Sequence, residues 1–171
     1  MPSRAPILVV VVVAVVLAIG LGGPGAQVGD EPGGSTATYP ATVTFQDEAD
    51  GTRLGTVQSR VADSPDERYQ GLSNTDPLPA DSGMLFVYSA EANRTFVMRQ
   101  MNYPIDMVFI DANGTVTTIH HAETEAQDDP GDDLTPYPGQ GKWVLEVPYE
   151  WTAEHGVQVG DEVTISYSGG E

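Results

Sequence analysis

Along this chain, apolar side chains first alternate with polar ones and then run together. Ala41, Val43 and Phe45 alternate with Thr42, Thr44 and Gln46, the period of a half-buried strand. Gly55, Val57, Ser59 and Val61 alternate with Thr56, Gln58 and Arg60, and Val163, Ile165 and Tyr167 alternate with Glu162, Thr164 and Ser166. Residues 84–88 and 105–110 are apolar on both faces, which predicts central strands. Asp111-Ala112-Asn113-Gly114 is a turn signal, because Asn-Gly tolerates positive φ, and it predicts a hairpin joining residues 105–110 to 115–120. Two short helices break the strands. Ser64-Pro65-Asp66-Glu67 reads as a capping box with proline first, ended by Gly71. Residues 148–155 repeat that logic, with Pro148 first, Glu150 early, His155 in the last turn and Gly156 as terminator. The expected fold is α+β: a mostly antiparallel, small barrel-like or strongly curved sheet with two short helices, spanning residues 41–168.

A different pattern precedes that domain. No residue from 5 to 28 is charged, and residues 7–19 are Val, Leu, Ile and Ala throughout. About twenty such residues in a helix span the hydrocarbon core of a bilayer. Residues 1–21 are therefore expected to be a transmembrane anchor, in contact with the membrane over residues 5–24. Arg4 before it and Asp30 and Glu31 after it place the amino end inside and the domain outside. The alternative is a cleaved signal segment that leaves a secreted product; residues 20–26 are rich in small side chains but form no convincing Ala-x-Ala site. Residues 22–40 hold six Gly and three Pro in 19 positions, the composition of a flexible tether. A second irregular stretch is expected over residues 123–141, with six carboxylates and three prolines.

Composition narrows the chemistry. The 171 residues include 25 Asp+Glu against 7 Lys+Arg, a formal charge of −18, and no cysteine. Such a charge repels phosphate backbones, so nucleic acid is not an expected partner. Its acidity matches a salt-adapted protein kept soluble by surface carboxylates. The missing thiols exclude disulfides, cysteine nucleophiles and thiolate metal sites.

Four ordered motifs resemble one family. They are Ser64-Pro65-Asp66-Glu67-Arg68-Tyr69-Gln70-Gly71-Leu72; Gly83-Met84-Leu85-Phe86-Val87-Tyr88; Phe96-Val97-Met98-Arg99-Gln100-Met101 followed by Pro104-Ile105-Asp106-Met107-Val108-Phe109-Ile110-Asp111; and Val144-Leu145-Glu146 with His155-Gly156-Val157-Gln158-Val159-Gly160-Asp161. Together they are similar to the domain of unknown function 192 family over residues 55–163. The resemblance implies a compact β-rich fold and often an exported location, and brings no established activity. The chain departs from the family pattern at Ser73, where Met is usual, and over Val97-Met98-Arg99-Gln100-Met101, where the pattern is Trp-Met-Lys-Asn-Thr.

Asp106 and Glu146 are the candidate functional carboxylates, with Arg68 and Arg99 as counterions. A carboxylate in an apolar strand is costly unless paired or hydrogen-bonded. Three readings stay open: a ligand-binding pocket for a small molecule, glycan or envelope partner; an extracytoplasmic hydrolase using both acids; and a structural ion pair between Asp106 and Arg68. Glu146 also has a blander reading, on a wet strand face with Lys142 and Val144. His120 and His121, adjacent on a strand, point to opposite faces and read as a surface pair. The acids of residues 128–133 fail the spacing of a calcium loop. No cofactor or metal site is expected, and no phosphate loop, nucleophile elbow or metalloprotease helix occurs. Asn93 and Asn113 begin glycosylation sequons.

Overall fold

The computed structural model describes residues 39–125 and 134–168. The expected anchor and nearly all of the tether lie outside the described residues, as does the centre of the acidic stretch. No helix among the described residues is long and apolar enough to cross a membrane.

Among the described residues, seven strands and two helices follow in order: β1 (Ala41–Gln46), β2 (Arg53–Ala62), α1 (Pro65–Gln70), β3 (Ser82–Phe96), β4 (Ile105–Ile110), β5 (Val116–Ala122), β6 (Tyr137–Pro148), α2 (Trp151–Glu154) and β7 (Glu162–Tyr167). They form one sheet in the order β5-β4-β6-β3-β2-β1-β7. All neighbours are antiparallel except β2 and β3, which are parallel across the α1 crossover. The sheet is not closed into a barrel. Its two edges instead approach where Thr115, just before β5, bridges Glu162 of β7 and Val116 N–H donates to Asp161 O at 2.9 Å.

Curvature gives the sheet two cores. Val43, Phe45, Val57, Leu85, Val108, Leu145 and Val147 pack on one face with Trp151 of α2. On the other, Met84, Phe86, Met107, Phe109 and Val144 are covered by Leu72, Met98, Met101 and Tyr103 from the segments after α1 and β3. Strand β4 is buried at all six positions because it faces both cores.

The α1 capping box forms as expected. Ser64 Oγ accepts from Glu67 N–H, and the Glu67 carboxylate takes Ser64 N–H at 3.0 Å. Gly71 ends the helix at φ 50°, a conformation unfavourable to side chains. Two expectations need correction. Pro148 is the last residue of β6 rather than the first of a helix, and α2 starts only at Trp151. The irregular stretch also ends early, since residues 137–141 pair with the distal half of β3 as part of β6. Close approach explains the glycines there: a Cβ on Gly139 would collide with the Phe109 ring.

Candidate functional site

Cross-strand register separates the two acids. Asp106 stands opposite Val147, and Met107 opposite Glu146. Paired residues share a face and successive residues alternate, so Asp106 points to the α2 side and Glu146 to the α1 side. They do not form the carboxylate pair that a two-acid hydrolase needs.

Asp106 is fully buried, and its oxygens are satisfied. Oδ1 accepts from His121 Nδ1 at 2.7 Å and from Glu150 N–H at 3.0 Å. Oδ2 accepts from Thr152 N–H at 2.9 Å and from Thr152 Oγ at 2.6 Å. Glu150, at the N-terminus of α2, has a left-handed φ of 64° and makes no side-chain cap. A strand carboxylate thus supplies the cap that the local sequence lacks. Arg68 takes no part, which corrects the expected Asp106–Arg68 pair. His121 is also more than a surface histidine, although its side chain is 46% exposed.

Glu146 presents the opposite case. It is 5% exposed, and its Oε2 has no hydrogen-bond partner among the described residues. The wet-face reading is therefore corrected. Burial pushes the carboxyl up to about 8, opposed by the positive charge of Arg60. Near neutral pH it is a proton-bearing acid set among methionines and aromatics.

Above Glu146 opens a cavity of about 200 Å³. Its walls include Phe86, Phe96, Met98, Met101 and Ile105, and Arg68, Tyr69 and Arg99 border it. Both arginines are oriented without carboxylates. Arg68 donates to the carbonyls of Asp63 and Val87 and lies 5.0 Å from the Tyr88 ring centre. Arg99 donates to Tyr69 O and lies 4.0 Å from the Tyr69 ring centre. Asn74 and Gln100 clasp the two segments that roof this face: Asn74 N–H donates to Gln100 O at 2.9 Å, and both residues have left-handed φ, 56° and 54°. Burial also raises the Tyr88 and Tyr103 phenols.

Three of the four expected site residues, Glu146, Arg68 and Arg99, therefore converge, while Asp106 belongs elsewhere. Ser73, Val97, Arg99 and Met101, where the chain departs from the family pattern, also border the cavity. Asn93 and Asn113 are exposed, on β3 and in the β4–β5 turn, and neither lines it. Among the described residues no group of three His, Asp or Glu side chains is placed to hold a metal.

The family model DUF192, described as an uncharacterized ACR, matches residues 45–165. A crystal structure from Sinorhizobium meliloti 1021, named as a candidate transcription regulator, is similar with a TM-score of 0.64 and 25% identity. The similarity covers 75% of this chain and 95% of that one. A protein of unknown function from Novosphingobium aromaticivorans DSM 12444 aligns with a TM-score of 0.62 and 28% identity, covering 72% of this chain and 83% of its own. No curated protein matches.

Proposed function

The chain belongs to the DUF192 family, and from the cavity under α1 we propose that it is a small-molecule-binding domain rather than an enzyme. One observation carries the reading: the Oε2 of Glu146 is buried beneath an apolar-walled cavity and has no hydrogen-bond partner among the described residues. A buried polar atom without a partner costs about 1–3 kcal/mol, and a ligand that bonded it would recover that penalty. Apolar walls with few convergent polar groups are the usual make-up of a ligand site.

The uncharged run near the amino end and the Gly/Pro-rich segment after it support a location outside the membrane, with residues 1–21 as anchor and 22–40 as tether. The acidic surface supports a saline medium. A fixed site on a flexible tether suits capture at an envelope. Envelope glycans and proteins are the other partners that such a location allows.

The test is a compound screen on the full chain in concentrated salt, read by melting temperature and repeated on Glu146→Leu. Binders should stabilise the parent and lose about tenfold or more in affinity on Glu146→Leu. Binders indifferent to that change would place the ligand elsewhere and defeat the reading.

A further inference from the structure

We propose that the cavity takes an organic anion, with its apolar body against Phe86, Met98 and Met101 and a carboxylate headgroup held at the mouth by Arg68 and Arg99. This rests on the small-molecule reading above and adds the charge class of the ligand.

The chain has 25 acidic and only 7 basic side chains, yet two of those cations border one small cavity. Among the described residues, neither forms an ion pair with a carboxylate. Their hydrogen bonds go to the carbonyls of Asp63, Val87 and Tyr69, and their planes lie by Tyr88 and Tyr69. Carbonyls and ring faces orient a guanidinium without cancelling its charge. Each head commits one nitrogen to those bonds, so its remaining donors suit the two-pronged grip of a carboxylate. Behind Arg68, Arg94 packs 3.3 Å from the centre of the same Tyr88 ring and adds to the positive field.

The floor decides against a cation. Glu146 sits too dry to offer a compensating negative charge, so an ammonium group would meet two guanidiniums and a neutral acid. An anion meets the guanidiniums first, and its body lies over methionine and phenylalanine. A volume of about 200 Å³ is below the usual range for drug-sized ligands, which limits the body to a single ring with a short chain.

Calorimetric titration of the full chain near neutral pH with 3-(4-hydroxyphenyl)propionate, 3-(4-hydroxyphenyl)propanol and 3-(4-hydroxyphenyl)propylamine separates the possibilities, because the ring and its far hydroxyl, which can bond Glu146, are constant and the head is anionic, neutral or cationic. The acid should bind about tenfold or more tighter than the alcohol, and the amine weakest. Arg99→Gln should cost the acid about tenfold and Arg99→Lys less, while the uncharged alcohol loses much less than the acid, which separates loss of the charge from loss of the cavity. An alcohol or amine that binds as well as the acid overturns the anion inference and leaves the small-molecule reading standing. If none of the three binds, the anion inference falls, and the compound screen with Glu146→Leu decides the small-molecule reading.

Discussion

Asp106 and Glu146 occupy neighbouring strands one residue out of register, both shielded from water, yet the chain treats them in opposite ways. On the α2 side, Asp106 gathers four hydrogen bonds from three residues. On the α1 side, Glu146 keeps an oxygen without a partner beneath an open cavity. Burial costs a carboxylate hydrogen bonds to water, and the protein replaces them only for Asp106. The first acid therefore holds α2 onto the sheet, and the second is buried without the hydrogen bonds that would offset its burial.

Removing Asp106 should give the largest effect. Asp106→Ala strands two backbone N–H groups at the start of α2 and the buried Thr152 hydroxyl at once. Unfolding in denaturant should show a loss of about 3–5 kcal/mol, the range for breaking a buried charged network. A loss under about 1 kcal/mol would mean that α2 caps itself and that the two acids differ less than their hydrogen bonds indicate.

How far the sequence carried this contrast depends on which physics was local. Strand alternation, the β4–β5 turn and the α1 capping box all come from nearest neighbours, and each stands where the pattern put it. The partner of Asp106 was harder. A regular hairpin closed by the pairing of Ile110 with Val116 would set Asp106 against His120. The register slips between Phe109 and Ile110, and the added residue brings His121 opposite instead. Nothing in an Asn-Gly turn announces that slip. The α2 cap was illegible for a similar reason, since its donors and acceptor are 44 and 46 residues apart. Residues 137–141 read as loop because two glycines and a proline conceal a strand. The glycines there answer to packing against Phe109 and Ile110 rather than to a turn.

Glu146 should give the next effect, and it appears only as a dependence on pH. Folding raises this acid from an ordinary value of 4.5 to about 8. Between those limits the native state keeps a proton that the unfolded chain releases. Its contribution is fully present below about pH 4.5, declines as pH rises, and is gone above about 8. At about 1.4 kcal/mol per unit, the decline amounts to a few kcal/mol. Glu146→Gln should remove that slope and unfold later than the parent at pH 8–9. A parent whose stability did not fall across that window would show that water or a cation reaches the acid, and the contrast with Asp106 would narrow.

The smallest effects test whether the Asp106 network is itself graded. Thr152 is buried and gives Asp106 both its N–H and its hydroxyl, whereas the His121 ring is close to half exposed and its lost bond is open to replacement by water. Thr152→Val keeps the shape and the N–H but deletes the hydroxyl, which should cost about 1.5–3 kcal/mol because a charged acceptor loses a buried donor. His121→Gln should cost about 0.5–1 kcal/mol, in the range of an exposed pair. Equilibrium denaturation of the two variants at one pH and salt concentration measures the ordering. If His121→Gln proved the costlier, the half-exposed histidine would be the main anchor of Asp106, and the α2 cap would be a consequence of that pair rather than the reason the acid is buried.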